Sequence, residues 1–425
     1  MKKSASKDVK TEVGSLAQLV VPLAALVRGD LRALVTSLGL RAIAAMLEQE
    51  RTALCGPRYA HDSERAATRN GTAPGELTYG GRKVKVRRPR VVNRNGHDVP
   101  LDLWSELSST DPLCERALEQ MTVGVATRKY ERSLEPLPEE IASSATSKSA
   151  VSRRFVEATT EKLAEWMARP LGELGLAAIY IDGIHFGEHV VLAALGVDSK
   201  GHKHVLGLHE GATENSGACR ALLEDLVTRG VPTDRTMLFI IDGSGALRAA
   251  LRDTFGKRAL VQRCQVHKMR NVESHLPQSK RASVKVAMRQ AYRSANAKTA
   301  KKQLENLARA LQAKHPSAAA SIREGLEETL TVLELGLSNT LTRSFSTTNP
   351  IENLNDRIRQ IARRVKRWRG GEMILRWVGA GVWEAERGFR RLKGSAEMPK
   401  LIAALAARDK QRQSQTAVDV DQKAA

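Results

Sequence analysis

The sequence predicts an α/β core: a mixed sheet in the middle of the chain with an all-helical stretch inserted in it, preceded by a mainly helical N-terminal region. Three observations carry that expectation. Ala177 to Ile184, Val190 to Val197 and His204 to Leu208 are short apolar runs, the second followed by the turn Asp198-Ser199-Lys200-Gly201, a pattern of consecutive strands. A helical stretch over Gly217 to Thr228, closed by Gly230, leads to a buried strand over Thr236 to Ile241, a short helix from Ala246 and a strand over Leu260 to Gln262. From Arg270 to about Leu337 the chain turns charged and alanine-rich, with Leu304, Leu307 and Leu311 at helical spacing and almost no strand signal. For 425 residues, at roughly 150 residues per folded unit, about three units are expected.

The elements ahead of the sheet follow in order. Lys2, Lys3, Lys7 and Lys10 precede the apolar run Leu16 to Val27, but Gln18 and Pro22 interrupt it and no small-residue exit follows, so it reads neither as a leader nor as a bilayer span. Leu31 to Leu54 has apolar side chains at helical spacing and predicts a packed surface helix. Arg69-Asn70-Gly71 and Pro74-Gly75 mark a loop, and Thr78 to Val92 alternates valines with basic residues, as a strand or hairpin would. Its exposed face carries Lys83, Lys85, Arg87 and Arg90; with Arg82, Arg88 and Arg94 the segment holds seven basic residues and no acid. That is either a solvated charge run or a phosphate-binding face.

Asp111 to Ala168 is helical, with Ala126 to Leu134, a break at Pro136 and Pro138, then Thr146 to Phe155. A hydroxyl cap before a helix bearing Lys148, Ser152, Arg153 and Arg154 suits a recognition helix in a helix-turn-helix, although a three-helix connector with a basic face would look alike. After the Ser344 to Pro350 stretch, a helix runs from Ile351 through Ala362 with Arg357, Arg359, Arg363 and Arg364, and the basic run continues through Lys366, Arg367 and Arg369. From about Asp409 the chain loses apolar periodicity and reads as a loose tail. The expected divisions are 1–110, helical with a basic hairpin; 111–168, helix-turn-helix-like; 169–269, first part of the core; 270–340, helical insertion; 341–395, last part of the core; and 396–425, a C-terminal helix and tail.

Lys and Arg outnumber Asp and Glu by 68 to 47, a net charge of +21. Such a field disfavours an ordinary small-molecule enzyme and attracts polyanions, nucleic acid first among them. Aromatic residues make up only 4%, so backbone phosphates rather than stacked bases would supply most of the grip. Cys55, Cys114, Cys219 and Cys264 are far apart and form no C-x-x-C pair, which fits a reducing cytosol rather than a disulfide scaffold.

Asp182 and Asp242 each follow an apolar run and precede Gly. A carboxylate at the end of a buried strand must be satisfied by a cation or hydrogen bonds. Two on neighbouring strands would make a hard, oxygen-rich site for Mg2+, and a pair of ions about 4 Å apart can activate an attacking oxygen and stabilise the leaving one. Mn2+ is expected to substitute. Glu352, in the first turn of the helix after Thr347-Thr348-Asn349-Pro350, is the candidate third acid. Singly, each is equally an ordinary turn or helix-start residue, and their spacing makes sense only if the helical block between them is an insertion. Three strands, then helix, strand, helix and strand is the order of a ribonuclease-H-like mixed sheet.

Tyr180-Ile181-Asp182, Leu195-Gly196-Val197-Asp198, Leu206-Gly207, Arg229-Gly230-Val231, Asp242-Gly243, the run from Gln262 through Cys264 and His267 to Val272, and Thr347-Thr348-Asn349-Pro350-Ile351-Glu352-Asn353-Leu354-Asn355 resemble, in order, the motifs of bacterial Mutator-type insertion-sequence transposases. The resemblance implies a DDE enzyme with Asp182, Asp242 and Glu352 as catalytic, metal-binding acids, Asp182 bridging the metals. It further implies an N-terminal region that binds terminal inverted repeats, target DNA as second substrate, a homodimer or higher oligomer on DNA, no membrane, and a bacterial, nucleoid-associated cytoplasmic location. Cys264 and His267 match the family's C-x-x-H signature; they read either as half of a zinc site or as a packed thiol beside a hydrogen-bonded imidazole supporting the acids. The family's aromatic residue after Glu214-Asn215 is missing, with Ala218, Cys219 and Arg220 there instead.

Two other classes stand beside this one. A non-catalytic DNA-binding regulator would share the charge but need not keep the acids. His185-Phe186-Gly187-Glu188-His189 spells H-x-x-E-H, the inverted zinc-hydrolase motif; that site needs a helix, whereas the flanks here read as strands, and in a hairpin the two histidines are expected to share one side. No P-loop, G-x-G-x-x-G or G-x-S-x-G occurs.

Overall fold

A computed structural model describes residues 31–60, 65–109, 113–137, 141–211 and 216–424; the apolar run Leu16 to Val27, Asp111, Pro138 and the Glu214-Asn215 pair lie outside these. The chain divides into two compact units, Met1–Ala158 and Thr159–Ala425.

In the first unit, α1 (Leu31–Cys55) packs on a long antiparallel hairpin, β1 (Ala67–Tyr79) and β2 (Arg82–Asn93). Gly80 and Gly81, both at positive φ, form its two-residue turn, a conformation that glycine adopts without steric cost. The expected loop over Arg69 to Gly75 is instead strand, because an irregularity between Arg69 and Thr72 absorbs Gly71 without ending the ladder. Leu47, Cys55, Ala67, Val91 and Leu101 form the small core. Beyond β3 (Asp98–Val99) lie α2 (Asp102–Ser109) and α3 (Leu113–Thr122), then a short strand, β4 (Ser143–Ser144), on β2, and α4 (Lys148–Ala168). Ala126 to Leu134 is not an α-helix but two 3-10 turns, pinned where the Tyr130 hydroxyl donates to the Gly81 carbonyl at 3.0 Å.

In the second unit, β5 (Leu176–Phe186), β6 (His189–Asp198) and β7 (Lys203–Gly211) are antiparallel neighbours. After α5 (Ser216–Thr228), β8 (Met237–Ile241) adds parallel to β5; after α6 (Gly245–Phe255), β9 (Ala259–Arg263) adds parallel to β8. The sheet order is therefore β7-β6-β5-β8-β9. Both faces are covered, which explains why β5 and β6 read as continuous apolar runs. One face packs on Leu222, Leu223 and Leu226 of α5 and Leu247 and Leu251 of α6. The other carries Tyr180, Ile184, Leu238 and Ile240.

Past β9 the described chain is helical throughout: α7 (Gln265–Ser274), α8 (Gln278–Tyr292), α9 (Ala297–Gln312), α10 (Pro316–Arg323), α11 (Thr331–Glu334) and α12 (Asn339–Phe345). The first four close a core of their own around Val272, Met288, Leu304 and Ile322. Then α13 (Asn349–Ala362) and α14 (Gly371–Arg387) return to the sheet face of Tyr180, packing Ile351, Leu354, Ile358 and Val378 there. The expected loose tail is instead part of α15 (Met398–Ala424). Asp409 is anchored in it, accepting the Thr236 backbone N–H at 3.0 Å.

Arg82 is a further correction. It is 6% exposed and donates to the Glu135 carbonyl at 2.6 Å, so it braces the hairpin instead of facing a phosphate. Arg82→Ala should destabilise the folded chain by about 1–3 kcal/mol in denaturant unfolding, the cost of losing a buried, charged hydrogen-bond donor and its packing, while Lys85→Ala, on an exposed position, should change it by less than about 0.5 kcal/mol.

Candidate active site

The parallel pairing of β5 with β8 joins Ala178 to Leu238 and Tyr180 to Ile240, an offset of 60 residues. Asp182 and Asp242 have the same offset, each two positions beyond the last pair. Side chains alternate along a strand, so both acids continue the face of Tyr180 and Ile240. Asp182 is not at a strand end as expected: β5 continues to Phe186 because its antiparallel partner β6 extends past the point where β8 stops. Asp242 immediately follows β8 and accepts the Ser244 backbone N–H at 2.8 Å. Gly243, at φ +111°, lets the Arg263 side chain lie where a Cβ would clash.

The helix that covers this face brings the third acid. Ile351, Leu354, Asn355, Ile358 and Ala362 form the buried stripe of α13, the i, i+3, i+4, i+7 pattern of a packed helix. Glu352 sits beside that stripe in the first turn, where the helix dipole favours a carboxylate. The Thr348 hydroxyl donates to Glu352 Oε1 at 2.7 Å, since an ionised carboxylate can only accept. The same hydroxyl lies 3.4 Å from Cys264 Sγ and 3.4 Å from His267 Nδ1, and His267 Nε2 lies 3.7 Å from Glu352 Oε1. Cys264, fully buried, is placed by its N–H bonding to the Ile241 carbonyl at 2.8 Å. Cys264 and His267 thus form a packed thiol–imidazole pair against Glu352.

Asn355 was not singled out in the sequence. It is completely buried, its Nδ2 donates to Asp182 Oδ2 at 2.8 Å, and its Oδ1 has no hydrogen-bond partner among the described residues. One helix therefore holds both an acid and the side chain that orients another. The signal was legible in principle: a polar residue filling the i+4 slot of an apolar stripe.

Burial, and next the charge of Asp242, push the Asp182 carboxyl from the ordinary 3.8 up to about 6; Glu352 adds to the rise and His267 opposes it. Hydrogen bonding to Cys264 raises His267 above its ordinary value, with Glu352 and Asp242 adding to it. Burial pushes the Cys264 thiol up, but bonds with His267 and Thr348 outweigh it and bring the thiol below the usual range. The acids share one electrostatic neighbourhood, although among the described residues no three His, Cys, Asp or Glu side chains already stand close enough to hold a metal ion.

The H-x-x-E-H run is the tip of the β5–β6 hairpin. Phe186 pairs with His189 and His185 with Val190, so a two-residue turn places His185 and His189 on opposite faces, against the expectation that they share one. Glu210 takes His189 Nδ1 at 2.5 Å, and no helix exists there to build a zinc site.

The basic residues separate into groups. On the hairpin, Arg90 is bidentate to Asp98, with its closest contact at 2.7 Å, so the run does have a compensating acid, from β3. Arg87 bonds Thr72, and Arg88 lies over the Trp104 ring at 5.6 Å, while Lys85 is exposed and Lys83 half-buried. On α4, Lys148 and Arg153 are exposed and Arg154 donates to the Ala145 carbonyl at 2.6 Å. Arg357, Arg359, Arg363 and Arg364 are all exposed, with Arg359 bridging to Asp356 at 3.0 Å.

Comparison with known proteins at the level of sequence places the chain among transposases. The chain is similar to the transposase of insertion sequence element IS256 in transposon Tn4001 from Staphylococcus aureus, 26% identical over 350 residues, covering 79% of this chain and 85% of that protein. It is also similar to the transposase of IS1081 from Mycobacterium tuberculosis, 27% identical over 392 residues, 88% and 90% of the two chains. A shorter match, 31% identical over 176 residues, reaches the transposase of IST2 from Acidithiobacillus ferrooxidans, covering 41% of this chain and 58% of that one. The family model "Transposase, Mutator family" matches residues 14–391, and with nearly the whole chain inside it the protein belongs to the Mutator family of transposases.

Proposed function

We propose that the chain is a DDE-type transposase with a ribonuclease-H-like core, which binds the terminal inverted repeats of an insertion sequence, cuts a strand at its ends and joins the freed 3′ hydroxyl to target DNA. The observation that carries this reading is the common offset that sets Asp182 and Asp242 side by side beneath the helix bearing Glu352. The sheet order, three antiparallel strands followed by two parallel ones, supports the fold assignment.

The donor set fits Mg2+. Asp182, Asp242 and Glu352 offer hard carboxylate oxygens, Asp182 bears repulsion from Asp242 that His267 only partly offsets, and the buried Asn355 Oδ1 has spare acceptor capacity. Two bound Mg2+ ions, or Mn2+ in their place, supply activation of the attacking oxygen and charge relief at the leaving one. The three acids would hold them. Asn355 aims Asp182, and Thr348 with His267 fixes the direction of Glu352, as outer groups around a metal centre do. Arg357, Arg359, Arg363 and Arg364, with Lys83, Lys85, Arg87, Arg88, Lys148 and Arg153, take phosphates, which positions DNA without reading its sequence. Arg359 must exchange Asp356 for a phosphate, and Arg90 and Arg154 must first leave their present partners to join the set. Handling two element ends together calls for at least two copies of the chain, acting in the nucleoid-associated cytoplasm.

Three outcomes follow. On DNA carrying the element's own ends, with Mg2+ and equal salt, Asp242→Asn should bind as the wild type does and lose strand cleavage in a gel assay. Wild-type cleavage by the variant would remove Asp242 from the site, and binding without cleavage by either protein would indicate a DNA-binding regulator. Asn355→Ala should raise the Mg2+ concentration needed for half-maximal cleavage about 10–100-fold; an unchanged requirement would make Asn355 a packing residue only. Because the folded Asp182 carboxyl sits near 6 against 3.8, the folded state retains its proton longer than the unfolded chain, and stability is lost as pH rises between those values. In EDTA, Asp182→Asn should therefore be more stable than wild type at pH 7.5 by up to about 3 kcal/mol and gain little at pH 4; urea unfolding at both values checks this.

A further inference from the structure

We infer that a pocket on the helical block beside the acids receives one unpaired nucleotide of the DNA strand being processed, an inference that rests on the transposase reading. The pocket measures about 590 Å³ and lies where α7, α8 and α12 meet, within the size range of small-ligand sites. Exposed Arg289 and Arg293, in and just after α8, and exposed Arg343 of α12 contribute three guanidinium groups, with no carboxylate in the lining. None of the three has an ion-pair partner among the described residues. The remaining wall is partly apolar, with buried Met269 and half-buried Val266 and Leu333.

A cationic rim over an apolar wall matches the two halves of a nucleotide. Guanidinium groups grip a phosphate through paired N–H donors, and a base buries its face on apolar surface. Stacked duplex DNA keeps its base faces covered and would leave the apolar wall without a base to cover, whereas an unpaired nucleotide engages both halves. Placement links the pocket to the chemistry. Gln265 and Thr347 line it, and each is adjacent in sequence to a residue of the network on Glu352, Cys264 and Thr348 respectively. A nucleotide held there lies next to the strand position that the acids address.

The test is binding of a short fluorescein-labelled oligothymidylate by fluorescence anisotropy, in EDTA over a range of NaCl. Arg289→Gln, Arg293→Gln and Arg343→Gln combined should weaken binding about tenfold and flatten the slope of log affinity against log salt by about 2, as expected for three lost single-strand phosphate contacts. Lys298→Gln, Lys302→Gln and Arg309→Gln combined, at exposed positions elsewhere on the block, should retain the wild-type slope. All six side chains are exposed, and matching unfolding midpoints verify that both variants are folded. Equal losses in the two variants, or none in either, overturn the pocket. Since no metal is present, these outcomes are independent of cleavage: a wild type that cuts element ends with Mg2+ yet fails the binding test loses only the pocket, and one that cannot cut loses the transposase reading.

Discussion

The parallel pairing of β5 with β8 is the constraint on which the rest of the second unit depends. Its register, Tyr180 opposite Ile240, decides where two acids far apart in sequence emerge. A slip of one residue would turn one acid to the opposite face of the sheet. The apolar content of both strands makes such a slip costly: Tyr180 and Ile240 belong to one core, Ile179, Ile181, Phe239 and Ile241 to the other. Packing on the two faces thus fixes the register, and the register fixes the separation of the carboxylates.

The second requirement is to bring a third acid to the same face from a distant part of the chain. A helix does this through its buried stripe, which docks Ile351, Leu354 and Ile358 on the sheet and leaves Glu352 at the edge. Its N-terminal end is tied separately: the Gln265 N–H bonds to the Ser346 carbonyl at 2.9 Å, and the Thr348 N–H to Cys264 Sγ at 3.4 Å. The C-x-x-H segment accordingly runs from the end of β9 into α7 and is hydrogen-bonded to the start of α13, which sets its thiol and imidazole against Glu352. The helical block is tied to the same strand, because Arg263 of β9 and Lys268 of α7, both buried, converge on Glu324 at 2.8 and 2.9 Å.

Much of this was legible in the sequence, and the misses share a cause. The strands and the helical block could be read because apolar runs and their periods are local properties, while the three acids stood out as a set only through the family resemblance. What depended on distant partners could not. Asp182 lies within β5 because of β6, and Arg82 is buried because of Glu135, 53 residues away. Asp409 belongs to a continuing helix and meets Thr236, 173 residues away. The two histidines of H-x-x-E-H separate because a two-residue turn pairs Phe186 with His189, a register that the motif itself does not specify. Asn355 stands in the sequence only as the end of the Thr347 to Asn355 run, because its partner Asp182 is 173 residues away; a polar side chain kept in an apolar stripe is costly unless it is bonded there.

The central claim is that Asp182, Asp242 and Glu352 form one metal centre. Anomalous diffraction from Mn2+-containing crystals of the full chain bound to DNA of its element ends tests it most directly. The account predicts manganese peaks within coordination distance of all three carboxylates, with Asn355 still bonded to Asp182. Manganese bound elsewhere in a complex competent for cleavage, with the acids unoccupied, would contradict it.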